Sequence, residues 1–142
     1  RGEPAMRLET LALDGNPDRV NLNISYRESN GMYQIDTTTL ILDILQLSFE
    51  RKYAPQDIAA SFQRELGTVF ADLAIKIAQQ HAIQKIGLTG GVAYNHAFSR
   101  SVKEKVSKHN FQYLEHEIIP PGDAGISSGQ LIAGIFEYNR IN

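Results

Sequence analysis

The chain contains no cysteine, which excludes disulfides, a thiolate zinc site and a cysteine nucleophile among its own residues. No run of Lys and Arg reaches five residues, and the formal net charge is −2. A broad nucleic-acid footprint needs a concentrated basic patch, so no nucleic-acid partner is expected. No apolar run approaches the ~18–20 residues of a membrane span, and no secretory leader opens the chain; a cytoplasmic protein that does not enter the membrane is the expectation. The histidines, His81, His96, His109 and His116, include no pair at the i+3 to i+5 spacing of helical metal ligands. Surface or loop positions are expected for all of them. Glu3, Glu9 and Asp14 are too dispersed to act as paired carboxylates, and spacing reveals no nucleophile–base arrangement. Repeats, linkers and low-complexity segments are also absent.

What remains is an ordinary globular composition, 142 residues with 42% apolar and 21% charged, long enough to bury a core. The opening Arg1-Gly2-Glu3-Pro4 reads as the middle of a turn entering a helix. Residues 1–142 are therefore expected to be one domain or part of one, excised from a longer protein.

Pro4 to Leu13 predicts a short helix, with Pro4 in the first turn where its missing N–H costs nothing. Asp14-Gly15-Asn16-Pro17 ends it with turn chemistry. Val20 to Tyr26 alternates apolar and polar residues, the period of a half-buried strand. After a turn at Ser29-Asn30-Gly31, Met32 to Ile35 returns as the second strand of a hairpin. Thr37-Thr38-Thr39 begins a helix over Leu40 to Arg51 that is apolar nearly all round, so it is expected to be largely buried. From Pro55 to about His81, the residues Ile58, Phe62, Leu66, Val69, Phe70, Leu73 and Ile77 trace one helical face. A strand at Lys85–Leu88 and a helix from Asn95 to Ser107 follow. Phe111–Leu114 and Glu117–Ile119 are short strand candidates, and a final helix covers Asp123 to Tyr138. This alternation predicts an α/β fold, a mixed sheet with helices on both faces.

Two glycine-bearing segments carry the functional signal. Gly90-Gly91-Val92-Ala93-Tyr94-Asn95 follows an apolar strand directly. Pro120-Pro121-Gly122-Asp123-Ala124-Gly125-Ile126-Ser127-Ser128-Gly129 opens the last helix. Each reads as strand, glycine turn and helix start, a layout that lets backbone N–H groups meet an anion at close range. Two such turns in one α/β chain point to a nucleotide or phosphate cleft. Asp123 is placed either to cap the last helix or to serve as a metal or substrate ligand. Gly125 and Gly129 each cost ~1 kcal/mol relative to alanine inside a helix, which calls for close approach of a ligand or of another helix. Asn95 is a helix cap by position, and its amide also suits a base or ribose.

These two segments resemble the closing motifs of HypF, the carbamoyltransferase family of NiFe-hydrogenase maturation. Gly-Glu-Pro-Ala-Met-Arg-Leu-Glu-Thr-Leu-Ala (2–12) looks like the Gly-x-Ala-Ala-x-x-Leu-Glu-x-Leu-Ala segment of the same family. The likeness runs from end to end and in order. It implies the C-terminal portion of a TsaD-like domain with the actin/sugar-kinase/Hsp70 (ribonuclease H-like) fold. The implied activity uses carbamoyl phosphate and ATP, by way of carbamoyl-adenylate, to carbamoylate the C-terminal cysteine of HypE, a step toward the cyanide ligands of the hydrogenase iron. Gly90, Gly91 and Val92 are then implied at the nucleotide phosphates, Asn95 at the nucleoside, and Gly2 on the facing wall. Gly122 and Gly125 belong to the same nucleotide set. Asp123 is implied as the carboxylate ligand of a divalent metal, zinc or iron, with magnesium accompanying ATP.

The chain departs from the family pattern in several places. The His-x-x-x-His metal pair, the acylphosphatase-like portion, the cysteine-rich zinc motifs and the adenylate-forming domain do not occur in it. Pro4 stands where alanine is expected, and Arg1 where an acidic residue is expected. The isolated chain is accordingly expected to be inactive, with the missing N-terminal domains and HypE as partners and a homodimer as a further option. Other readings are a TsaD-type tRNA threonylcarbamoyl transferase, a sugar or acetate kinase, or a non-catalytic interaction and dimerisation half-domain. TsaD-like chains carry Thr-Asp-Asn-Gly where this one has Gly-Asp-Ala-Gly. The half-domain reading expects an apolar patch left by a divided cleft.

Overall fold

The longest periodic segment forms the spine of the molecule. In the computed structural model, which describes residues 2–141, the helix α3 spans Pro55–Gln80. Around it lie α1 (Glu3–Ala12), the hairpin β1 (Tyr26–Ser29) and β2 (Met32–Ile35), α2 (Thr37–Glu50), β3 (Lys85–Gly87), α4 (His96–Lys108), β4 (Gln112–Leu114) and α5 (Ile126–Ile141). Short 3₁₀ turns at Gly91–Tyr94 and Asp123–Gly125 precede α4 and α5. Arg1, which bears on the departure from the family pattern, lies outside the described residues.

The small residues of α3 decide its packing, and the large-residue stripe in the sequence does not mark the buried face alone. Ala59, Ala60, Ser61, Gly67, Ala71 and Ala78 are all buried, whereas Phe70 and Ile77 of the expected apolar face are exposed. Ala12 of α1 packs on Ala59 and Ala60. Gly67 lies where α4 crosses: a Cβ there would stand 2.8 Å from the Phe98 carbonyl oxygen and 3.0 Å from Ser101 Cβ. On one flank of α3, Ala71, Ile75 and Ala78 share a core with Ile86, Phe98, Val102 and Val106. On the other, Ile58 meets Val20, Leu22, Ile24 and Leu40. Buried Asp57 accepts the Asn16 N–H at 2.8 Å, and Ser61 Oγ donates to the Pro17 carbonyl at 2.8 Å, so the loop after α1 is lashed to the spine.

The α/β class stands, with the strands divided between two sheets where a single mixed sheet was expected. β1 and β2 pair antiparallel through an Asn30-Gly31 turn whose residues both have positive φ (53° and 74°), the geometry that matches strand twist. β3 and β4 pair parallel, joined by the crossover helix α4. Val20–Tyr26 was expected as one strand, yet only Tyr26 is in a ladder. Val20, Leu22 and Ile24 do alternate inward, with Val20 only 2% exposed, because α2 and α3 supply an apolar wall even though no neighbouring strand supplies hydrogen bonds. Glu117–Ile119 is likewise not a strand: it bends ahead of Pro120-Pro121, which have no N–H to donate, and leaves Ile118 93% exposed.

Two helices correct the burial expectations. α2 buries Leu40 but exposes Ile41, Leu42, Leu45 and Phe49, the last at 82%. α5 exposes Ile126, Leu131, Ile132, Ile135 and Phe136 and packs on little beyond the 3₁₀ turn at its base. An all-round apolar sequence buries only those faces that meet another element, and among the described residues the exposed faces of α2 and α5 meet none.

Substituting Gly67 by alanine is expected to lower stability by about 1–3 kcal/mol, because the new methyl meets backbone and cannot relax by rotating a side chain; urea denaturation would read this directly. A second expectation concerns acid. Asp36 caps α2 by accepting from the Thr39 hydroxyl at 2.7 Å and the Thr39 N–H at 3.1 Å, and these bonds hold its carboxyl below the usual carboxylate range. A lowered folded value means that the stabilisation is complete above the unfolded value of 3.8 and is lost as pH falls through the folded one. Asp36→Asn should flatten that acid limb in a circular-dichroism titration; an unchanged limb would show that the cap does not contribute.

Candidate functional site

Parallel strands β3 and β4 bring the two glycine segments together at their carboxyl ends, the edge at which open α/β sheets bind ligands. The segments are clasped by one acceptor. The Pro121 carbonyl takes the Gly90 N–H at 2.7 Å and the Thr89 hydroxyl at 3.0 Å. Tyr94 completes the clasp, since a Cβ on Gly122 would sit 2.7 Å from its ring edge.

The glycines then sort by what holds them. Gly90 has φ 91°, a conformation that L side chains rarely adopt. Gly125 has no room for a side chain because the Pro120 carbonyl oxygen and Ile119 Cγ2 occupy that space. Gly122 is confined by Tyr94. Gly91 differs from all of these: its φ is ordinary and nothing lies within 4 Å of the position a Cβ would take. Neither the Gly91 nor the Val92 N–H has an acceptor among the described residues, because the 3₁₀ turn begins its bonds with Ala93 N–H to the Gly90 carbonyl at 3.1 Å. Successive free N–H groups beside open space suit an anion.

Asn95 is the N-cap of α4: its Oδ1 accepts the Phe98 N–H at 2.9 Å. That occupies one lone pair of its carbonyl oxygen and leaves its amide N–H₂ free for a ligand. Asp123 opens the second 3₁₀ turn and makes no side-chain cap, so the capping alternative fails. Its carboxylate is exposed and has no hydrogen-bond or ion-pair partner among the described residues. Gly2 is the N-cap of α1 at φ 98°, also beside open space. Gly129 is open too, so within the chain no close helix contact explains it.

Sequence reasoning missed the clasp and one further link. Glu9, set aside as dispersed, accepts the His96 N–H at 3.1 Å, which ties α1 to the start of α4 and places a carboxylate at its positive end. Only the hydrogen-bond accounting of the α4 first turn points to it. All four histidines are exposed, as expected. Among the described residues, no group of three His, Cys, Asp or Glu side chains could hold a metal. A single carboxylate does not make a metal site, and no catalytic step through a metal follows from the chain itself. Among the described residues, no helix is long and apolar enough to cross a membrane.

Fold and candidate site together define an α/β subdomain whose two glycine turns are clasped beyond the carboxyl ends of β3 and β4. The family model for the second subdomain of the carbamoyltransferase Kae1-like domain matches residues 1–130, and the chain belongs to this family. The chain is similar to a probable carbamoyltransferase HypF of Methanocaldococcus jannaschii, with 30% identity over 96% of the chain and 17% of the relative. It is also similar to the tRNA N6-adenosine threonylcarbamoyltransferase of Clostridium kluyveri, with 26% identity over 96% of the chain and 41% of the relative. The crystal structure of T. kodakarensis HypF superposes with a TM-score of 0.79 at 29% identity, over 98% of this chain and 17% of that one. Full-length HypF in a phosphate- and nucleotide-bound form gives 0.80 at 27% identity, over 92% and 17%. The chain thus spans about a sixth of the length of the HypF proteins it matches.

Exchanging the two polar candidates for alanine separates their roles. Asn95→Ala should cost about 1 kcal/mol through loss of the α4 cap, while Asp123→Ala should stay within about 0.5 kcal/mol of the parent because it breaks nothing. Equal losses in thermal denaturation would contradict this assignment.

Proposed function

We propose that this chain forms one wall of the nucleotide cleft of a HypF-type carbamoyltransferase. The observation that carries the reading is Gly91, a glycine that nothing within the chain requires, set beside two free backbone N–H groups. A phosphate in that open space would explain all three. The phosphate- and nucleotide-bound form of a similar HypF supports nucleotide binding in this family. In this reading Gly90, Gly91 and Val92 face the phosphate of ATP or carbamoyl-adenylate, Asn95 turns its free amide toward the nucleoside, and Gly2 borders the opposite side. The thiolate of the HypE C-terminal cysteine attacks the carbamoyl carbon, the C–S bond forms as the C–O bond to AMP breaks, and AMP leaves with the electron pair. Asp123, an unengaged carboxylate on the neighbouring turn, offers one oxygen ligand to a divalent cation whose other ligands come from outside this chain.

The bare faces of α2 and α5 support the further reading that the chain is a piece of a larger cytoplasmic protein and inactive by itself, with the rest of that protein covering those faces. A threonylcarbamoyl transferase acting on tRNA is the second reading, favoured by the similarity to the Clostridium kluyveri protein. The formal charge of −2 speaks against a tRNA surface. A homodimer formed through α2 and α5 is the non-enzymatic counterpart.

Calorimetry on a protein carrying both subdomains tests the cleft. Gly91→Val should weaken ATP binding by about tenfold or more, equivalent to about 1.4 kcal/mol, and Asp123→Ala should cut metal-dependent carbamoyl transfer by about 100-fold. Undiminished ATP affinity in Gly91→Val would remove the phosphate from this turn, and undiminished transfer in Asp123→Ala would remove the ligand role.

A further inference from the structure

A hollow of about 450 Å³ lies behind the clasp, between α4 and the segment that follows β4. It shares Tyr94 and Pro121 with the clasp, but none of Gly90, Gly91, Asn95, Gly122 or Asp123 lines it. Its lining therefore differs from the residues assigned to the nucleotide. Cations and rings stand together in its walls. Arg100 and Lys103 project from one face of α4, and the rings of Tyr94, Tyr113, His96 and His116 supply flat surface.

Both cations are held only by exposed carboxylates, Arg100 by Glu104 at 2.7 Å and Lys103 by Glu115 at 2.6 Å. Exposed pairs of this kind contribute roughly 0.2–1 kcal/mol, so a ligand anion can replace them at little cost. Glu115, which pairs with Lys103, also lines the hollow. His116 Nδ1 lies 3.0 Å from the Ile119 carbonyl, which can only accept, so Nδ1 donates and Nε2 is left as an acceptor for an N–H or O–H on the body of a ligand. Burial, then Glu115, raise the Tyr113 phenol above its ordinary range, which keeps its hydroxyl protonated as a donor.

We infer that this hollow is a second binding site, for a small planar-ring molecule bearing a phosphate or carboxylate, with the anion on Arg100 and Lys103 and the ring against Tyr94 and Tyr113. The volume fits a single-ring or nucleoside-sized compound. Cations beside aromatic rings select an anion attached to a flat body over a bare inorganic ion. The site does not depend on the nucleotide reading of the glycine turns. Because Tyr94 and Pro121 belong to both, an occupant presses on the clasp from behind and can bias the loop carrying Asp123.

Phenyl phosphate, benzoate and inorganic phosphate are the probes, titrated into the ¹⁵N-labelled chain and followed by amide shifts. Phenyl phosphate or benzoate should shift Tyr94, Lys103, Leu114 and Glu115 saturably, and inorganic phosphate should bind at least about tenfold more weakly. Which of the two ring compounds binds more tightly identifies the anion. The double variant Arg100→Gln/Lys103→Gln, altered only at exposed positions and checked by its melting curve, should lose affinity by about ten- to a hundredfold through two charge-assisted bonds. Saturable shifts that survive the double variant, equal affinity for inorganic phosphate, or no saturable shift at these amides would overturn the proposal. Shifts confined to Gly90 and Gly91 would do so as well, while leaving the cleft reading intact.

Discussion

Close approach to α3 is the constraint on which the rest of the structure depends. Two cores and the α1 contact are all built on this one helix, and glycine and alanine at the crossings let α4 and α1 come close to it. Gly67 under the Phe98 carbonyl sets the distance at which α4 crosses. The crossing fixes where α4 begins, and that start positions Asn95, the Gly91–Tyr94 turn and the clasp with Pro121. A bulkier α3 would move the candidate site, although no residue of α3 lies in it.

The clasp turns two separated segments into one local object. One carbonyl, that of Pro121, receives two donors from the first segment, and one ring, that of Tyr94, fills the space beside Gly122. This accounts for glycine at 90, 122 and 125 through backbone conformation and crowding alone. It leaves Gly91 without an internal explanation, and the free N–H groups beside it gain meaning from that contrast. The distinction also separates Asn95, whose capping role is visible, from Asp123, whose carboxylate engages nothing within the chain.

The apolar surface is unevenly satisfied. Around α3, burial is dense and the polar loop after α1 is pinned by Asp57 and Ser61. On α2 and α5 leucine, isoleucine and phenylalanine side chains face outward, with Phe136 at 73% exposure. Exposed apolar area on this scale marks interaction surfaces, since leaving it in water forgoes the largest favourable term in folding. α5 grows directly out of the turn that carries Asp123, so whatever covers α5 also sets the position of that carboxylate.

Much of this was legible in the chain itself. Helical periodicity located α3 and α4, Asn30-Gly31 dictated the hairpin turn, and the two glycine segments marked the site, because each of these rests on local backbone chemistry. The end-to-end likeness of residues 2–12, 90–95 and 120–130 pointed to the family that the match over residues 1–130 established. What local chemistry does not encode is which face finds a neighbour. The alternation at Val20–Ile24 was read correctly as burial and wrongly as a ladder, since a wall of helices satisfies the same pattern. The Pro121 clasp, the Glu9 link to His96 and the failure of Asp123 to cap follow from contacts between residues distant in sequence, and only the tertiary structure decides those.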